Sequence, residues 1–326
     1  MKEEGQLHSM EEIKNKLSIV SEVIAPGSKV VYLDYPVHGN IGDLLIMKGT
    51  EAFFRDYGIT VRKRYSYVNF RADSIIPEDW IVVCHGGGNF GDLYPHHQQL
   101  REKAVKAYRR NRVVILPQTI HFDDPLEEQR AFKKLSEHPD LHLFVRDETS
   151  YLKAESKINH VYLAPDMAHQ LYPLPSNPPN NHRNLALLRT DKESGQKESS
   201  VSFDHKADWP QLFSKWDRWL LKLILASYSL DRRLKNKIPL RPVWYFLADK
   251  YIARAMALFD QYDRILTSRL HGHILSCLMD KPNLLLDNSY GKNKSYSRLW
   301  THRLEEESFN GKSGGNHSGD MYPQSS

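Results

Sequence analysis

Thr267-Ser268-Arg269-Leu270-His271-Gly272-His273 gathers a guanidinium, two imidazoles and a glycine in seven consecutive positions. The apolar run Arg264-Ile265-Leu266 enters this segment and Ile274-Leu275-Ser276-Cys277-Leu278 leaves it, a pattern that predicts a strand-to-helix junction. At such a junction, side chains and the backbone N–H groups of the first helical turn converge on an anion. The chemistry is that of an acidic substrate. Two further segments read the same way: Val30–Asp34 followed by His38-Gly39-Asn40-Ile41-Gly42-Asp43, and Ile81–Cys84 followed by His85-Gly86-Gly87-Gly88-Asn89-Phe90-Gly91-Asp92. Glycines let backbone approach a ligand closely, and helix N-termini favour negative charge. Taken alone, either glycine cluster fits equally well the tight turn that every doubly wound sheet needs.

The elements that would position these residues alternate from about residue 28. Strand-like runs are expected at 29–34, 59–65, 80–84, 112–116, 141–145 and 160–163, and helices at 43–56, 96–109, 125–137 and 147–156. The fold class is therefore α/β with mostly parallel strands, helices on both faces, and a ligand crevice at the carboxyl ends of the strands. Pro173–Asn181, dense in proline and asparagine, is the clearest linker. The expected division is an N-terminal domain 1–172, a linker 173–183, a C-terminal α/β domain 184–304 and a disordered tail 305–326, the tail lacking apolar periodicity. In the second domain, strands are expected at 185–189, 263–267 and 283–287 around a polar loop at 191–208 and a long helical region.

Composition bounds the partners. The 326 residues are 40% hydrophobic with a formal net charge of +5, which suits small anions or an anionic membrane surface better than a dedicated nucleic-acid binder. Cys84 and Cys277 both sit in apolar stretches, so reduced buried thiols are expected rather than a disulfide framework. No zinc-type spacing is present, and the adjacent pair His96-His97 reads as surface histidines because neighbours on a helix do not face the same way. The polar start Met1–Gln6 and the lack of any run near the roughly 18 apolar residues of a spanning helix point to the cytoplasm.

The stretch Trp209–Leu225 carries apolar residues at helical spacing, three of them tryptophans, and the basic run Arg232-Arg233-Leu234-Lys235-Asn236-Lys237 follows. Two readings are open: a helix packed into the second domain's core, or an interfacial helix contacting a membrane.

The succession Gly39-Asn40-Ile41-Gly42-Asp43, Gly86-Gly87-Gly88-Asn89, Pro117-Gln118-Thr119-Ile120, Val145-Arg146-Asp147-Glu148, Pro165-Asp166 and Ser268-Arg269-Leu270-His271-Gly272 resembles the polysaccharide pyruvyl transferase family over about residues 28–303, most of all its members encoded with bacterial exopolysaccharide and biofilm-matrix genes. The resemblance implies two Rossmann-like domains facing each other across a cleft, as in GT-B glycosyltransferases. It also implies phosphoenolpyruvate as donor substrate, no separate cofactor, and a sugar or lipid-linked oligosaccharide as acceptor, the product being a cyclic pyruvate ketal. Carried onto this chain, Arg146, Arg269 and His271 fall on positions associated with the donor. Leu270, His121, Asn40, Gly86, Gly87 and Asn89 complete the expected substrate contacts, although His121 stands where many relatives have glycine. On this reading the two arginines grip the donor's carboxylate and phosphate, His271 protonates its methylene, and Asp43 is an acceptor-side base or hydroxyl ligand. Asp43 could instead cap the helix that follows it. Two other functions fit the scaffold: a nucleotide-sugar glycosyltransferase, for which Asp287 would be the ribose ligand, and a non-catalytic glycan- or anion-binding protein.

Overall fold

A computed structural model describes residues 9–177, 182–189, 203–287 and 292–301. The β-branched runs of the first half become β1 (Lys29–Leu33), β2 (Thr60–Tyr65), β3 (Ile81–Cys84), β4 (Gly87–Gly91), β5 (Val113–His121), β6 (Leu141–Val145) and β7 (His160–Leu163). They form a seven-stranded parallel sheet in the order β2-β1-β3-β5-β6-β7, with β4 also pairing β5. Along β1 the side chains alternate: Val30 and Tyr32 enter one apolar cluster, Val31 and Leu33 another. Burial on both faces is what a parallel sheet sandwiched by helices requires.

Six helices accompany this half: α1 (Met10–Asn15), α2 (Ser18–Val23), α3 (Ile41–Asp56), α4 (Pro95–Ala107), α5 (Pro125–Ser136) and α6 (Glu148–Ala154). The expected helices match α3 to α6 within two residues at each start. The pair α1 and α2 lies before the expected start of regular structure; α1 begins with a capping box between Ser9 and Glu12.

The second half supplies β8 (Asn184–Leu187), β9 (His205–Ala207), β10 (Arg264–Thr267) and β11 (Asn283–Leu285), a parallel sheet in the order β11-β10-β8-β9. Its helices are α7 (Lys215–Arg233), α8 (Arg241–Phe259), α9 (Leu270–Leu278) and α10 (Lys292–Trp300). The expected α/β class with parallel sheets is present in both halves. One apolar cluster joins the two sheets, running from Val30 and Leu44 through Leu185 and Ile265 to Ile274. Helix α3 lies within it and presses on the 3-10 helix Met167–Leu171 at Gly49, where a Cβ would fall 2.1 Å from the Met167 carbonyl oxygen.

Three expectations need correction. The glycine segment after β3 does not enter a helix. It is a brief break at His85-Gly86, after which β4 resumes pairing along the nine-residue β5, and the next helix starts only at Pro95. Gly86 is required at the break because a Cβ there would lie 2.8 Å from the Pro117 carbonyl oxygen. The single helix expected from Trp209 is a 3-10 turn, Trp209–Leu212, followed after Ser214 by α7. Ser214 caps α7 and its hydroxyl bonds Asp217, so a new helix starts there. Trp209 is in the core, stacked on Phe259, but Trp216 and Trp219 are 78% and 57% exposed, so a core-packed role fails for these two. The expected tail 305–326, residues 178–181 of the linker and residues 191–202 of the polar loop lie outside the described residues.

Candidate active site

A cavity of about 380 Å³ opens at the carboxyl ends of the strands and is lined from both sheets. The first sheet's half contributes His38, Asn40, Asp43, Gly88, Asn89, His97 and Arg146; the second contributes Arg189, Trp209, Arg269, Leu270 and His271.

Arg146 follows β6 directly and is almost fully buried, its Nε donating to Thr119 Oγ1 at 2.9 Å and its Nη1 paired with Asp166. Asp166 begins the 3-10 helix, where its Oδ1 accepts from the Ala168 N–H at 2.9 Å. Its other oxygen, Oδ2, faces His271 Nε2 at 3.3 Å. Burial raises the Asp166 pKa, but His271, Arg146 and the Ala168 N–H outweigh it and hold this carboxyl far below the ordinary range. The carboxylate therefore stays ionised and ties a guanidinium from the first sheet to an imidazole from the second. Helix α10 braces the same point: Trp300 Nε1 donates to the Arg146 carbonyl at 2.9 Å, and the Asp166 N–H donates to Tyr296 Oη at 3.2 Å.

His271 stands in the first turn of α9, its ring against Gly42 of α3. A Cβ at Gly42 would fall 2.6 Å from His271 Nδ1, so glycine is needed there for the imidazole to pack against α3. Among the described residues no side chain caps α9, whose N-cap residue is Arg269; Leu270 and His271 of its first turn line the cavity at the positive end of the helix dipole. Arg269 itself is held by Asp208 in a two-pronged ion pair, Nε to Oδ1 and Nη2 to Oδ2, the latter at 2.8 Å. Its guanidinium is thus oriented before any ligand arrives.

Across the cavity, Asn40 is the N-cap of α3, its Oδ1 accepting from the Gly42 N–H at 3.0 Å. The capping role open to Asp43 thus belongs to Asn40, and Asp43 sits one turn in with its carboxylate on the cavity. His38 Nε2 is 3.7 Å from Asp43 Oδ2. Burial pushes the Asp43 pKa up, but His38, His85, His271 and His97 together pull it below the usual carboxylate value. Burial pushes His38 below the ordinary histidine value despite Asp43, so a neutral imidazole stands beside a carboxylate.

His97, expected at the surface, is half-buried instead. Its Nδ1 lies 2.8 and 2.9 Å from the two oxygens of Asp34, a carboxylate only 3% exposed. Burial lowers the His97 pKa, and Asp34 more than reverses this. Asp34 reaches the ring from a left-handed turn just after β1, φ 65°, a conformation that aspartate tolerates better than most residues. The pair was invisible in sequence because Asp34 and His97 are 63 positions apart and meet only where the end of β1 faces the start of α4.

Of the expected site residues, the cavity brings together Asn40, Asp43, Asn89, Arg146, Arg269, Leu270 and His271. Gly86 and Gly87 are not on its wall; they shape the β3-β4 break, while Gly88 and Asn89 face the cavity. Asn89 Oδ1 accepts from Arg101 Nη2 at 2.8 Å. His121 ends β5 away from the cavity, its Nε2 3.1 Å from Asp123. Asp166, Asp208, Asp34, His38 and His97 are the site residues that sequence reasoning did not assign. Cys84 and Cys277 are buried and unbridged, burial pushing the Cys84 thiol up to about 12.

Residues 40–290 match the family model described as polysaccharide pyruvyl transferase. The chain is 43% identical over 296 residues to EpsO of Bacillus subtilis, named as a pyruvyl transferase, covering 90% of this chain and 92% of that one. It is 30% identical to pyruvyl transferase 1 of Schizosaccharomyces pombe, over 84% of this chain and 70% of the relative. An uncharacterised Klebsiella pneumoniae protein of known crystal structure shares the fold, with a TM-score of 0.57 at 21% identity, covering 89% of this chain and 94% of that one.

Proposed function

The chain belongs to the polysaccharide pyruvyl transferase family, and from that membership and the chemistry of the cleft we propose that it transfers the pyruvyl group of phosphoenolpyruvate onto two hydroxyls of an exopolysaccharide or its precursor. The observation that carries this reading is the pre-oriented cationic cluster: Arg146, Arg269 and the uncapped α9 N-terminus meet on one cavity that also holds His271 and Asp43. A donor with a carboxylate and a phosphate needs two separate multi-donor anchors, which a neutral sugar does not. Two parallel sheets lining one cavity also favour a GT-B-like arrangement.

In the reaction we envisage, the phosphate and carboxylate of the donor lie between the α9 N-terminus and the two guanidinium groups. His271, its Nε2 side held by Asp166, gives a proton to C3 of the donor and C2 becomes electrophilic. An acceptor hydroxyl, hydrogen-bonded to Asp43, attacks C2 and loses its proton to the Asp43/His38 pair. A tetrahedral phospho-ketal results. Loss of inorganic phosphate restores an electrophilic C2, and the second hydroxyl closes the ring, its proton leaving by the same route. The acceptor gains a carboxylate and the donor's phosphate is released.

The nucleotide-sugar reading is less well supported, because Asp287, its ribose ligand, lies in a different cavity with Glu148, Lys294 and Arg298. A pure binding module has no use for an imidazole held between a carboxylate and an uncovered cavity face. Thermal unfolding with candidate donors separates these readings: phosphoenolpyruvate should raise the melting temperature and nucleotide-diphosphate sugars should not. Stabilisation by a nucleotide sugar alone would transfer the assignment to a glycosyltransferase.

A further inference from the structure

Helix α7 has three faces. At about 100° per residue, Asp217, Leu221, Ile224, Tyr228 and Asp231 fall on one side; all five are buried or half-buried, and Leu220, Leu225 and Ser227 are half-buried at the edges of that side. Trp216, Trp219, Leu223, Leu230 and Leu234 fall in a sector about 60° wide on the outer side. All five are exposed, from 78% for Trp216 to 47% for Leu234. Lys215, Arg218, Lys222 and Arg233 fill the sector between the two.

The charge is one-sided as well. The only carboxylates of α7 are Asp217 and Asp231, both buried: Asp217 is taken by Ser214 and Arg254, Asp231 by Asn69 and the Ile238 N–H. Among the described residues no carboxylate pairs with Lys215, Arg218, Lys222, Arg232 or Arg233, whose side chains project from this helix. Lys235, Lys237 and Arg241 continue the positive surface along the turn into α8, where Val243 and Phe246 are again exposed. A helix whose core face is already satisfied, and which adds an exposed apolar stripe edged by cations that outnumber the one nearby carboxylate, Asp73 beside Arg232, Arg233 and Lys235, has the composition of an interfacial anchor. No described helix is long and apolar enough to cross a membrane.

We propose that this face of α7, with the first turns of α8, docks on an anionic membrane surface, the tryptophans and leucines entering the headgroup region and the cations meeting lipid phosphates. A second copy of the chain is disfavoured as the occupant, because an isologous contact would set the five cations of one α7 against those of the other. The start of α7 also lies beside the cleft: a Cβ at Gly39, between the cavity residues His38 and Asn40, would meet Phe213 at 2.9 Å and Leu221 at 3.2 Å. Docking would therefore hold the cavity close to the bilayer, where a lipid-linked acceptor carries its sugar; that consequence rests on the proposed function, whereas the docking itself does not.

Sedimentation of the full chain with vesicles tests the proposal and requires neither donor nor acceptor. The chain should pellet with phosphatidylglycerol-containing vesicles and not with phosphatidylcholine alone. Binding should collapse as salt rises from about 0.1 M to about 1 M, which shortens the Debye length from roughly 10 Å to roughly 3 Å. Trp216→Ser with Trp219→Ser, and separately Arg232→Glu with Arg233→Glu, should each weaken vesicle binding by at least about tenfold while leaving the melting temperature unchanged. No binding, equal binding to both vesicle types, or a concentration-dependent dimer that the tryptophan substitutions abolish would overturn the proposal.

Discussion

His271 Nε2 lies 3.3 Å from Oδ2 of Asp166, a carboxylate with no solvent exposure that also carries the Arg146 guanidinium. The contact joins α9 of the four-stranded sheet to the segment that follows β7 of the seven-stranded one. It fixes the histidine ring, keeps a negative charge behind it and couples its position to that of Arg146. One aspartate thus serves both halves of the cavity.

Asp166→Asn keeps the side chain's shape and removes its charge. Arg146 is then buried without a counter-ion, a loss of about 3–5 kcal/mol that should appear as a lower denaturation midpoint. In whatever fraction remains folded, turnover should fall by on the order of 10²–10⁴, as for loss of acid–base catalysis. Unchanged turnover would make the contact a packing feature.

Two glycines of α3 offer a contrast. Gly49→Ala would drive a Cβ to 2.1 Å from the backbone oxygen of Met167, which cannot yield without moving the 3-10 helix; the chain should lose most of its stability. Gly42→Ala meets the His271 side chain instead, 2.6 Å from Nδ1 and 2.9 Å from Cβ. It should displace that side chain and depress turnover, with a smaller fall in melting temperature than Gly49→Ala. Circular-dichroism melts together with turnover assays distinguish the two.

The His97–Asp34 pair makes stability depend on pH. The folded His97 pKa lies above its ordinary 6.5, so the pair's contribution is complete below pH 6.5 and is lost as pH rises through the folded value. Wild type should therefore exceed His97→Gln in unfolding free energy most in mildly acidic buffer, the gap narrowing towards alkaline pH. A gap that widens with pH would contradict the pairing. His85 works in the opposite sense: burial lowers it to about 4, so its neutral ring costs stability as pH falls from 6.5 towards 4.

Much of this was legible in the sequence. The first six strand runs and helices α3 to α6 followed from apolar periodicity; Arg269, His271 and Asp43 stood out at expected strand-to-helix junctions, and Arg146 through the motif that resembles the family's. What sequence left hidden were the partners. Asp166 lies 105 positions from His271 and Asp208 lies 61 from Arg269, and nothing local marks either as a counter-ion. The β4 strand was missed because its glycines carry turn chemistry, and its pairing comes from an unusually long neighbour, β5. The split before α7 was readable in Ser214-Lys215-Trp216-Asp217, a capping-box pattern masked by the tryptophan periodicity around it.

Arg269→Lys probes the proposed donor contact without leaving the buried Asp208 carboxylate unneutralised, as Arg269→Ala would. Lysine keeps the charge but not the planar fork. The variant should stay folded, yet the melting-temperature rise given by phosphoenolpyruvate should shrink, reflecting loss of a charge-assisted contact of about 1.5–3 kcal/mol. An undiminished rise would remove Arg269 from the donor site.

The central claim, pyruvyl transfer in this cleft, is tested most directly by incubating the protein with phosphoenolpyruvate and candidate acceptor glycans while recording acceptor mass and released inorganic phosphate together. Wild type should add one pyruvyl ketal per phosphate released, and His271→Asn should still be stabilised by the donor while forming ketal on the order of 10²–10⁴ more slowly. Phosphate release with no mass gain, or a sugar-sized mass gain supplied by a nucleotide sugar, would contradict the account.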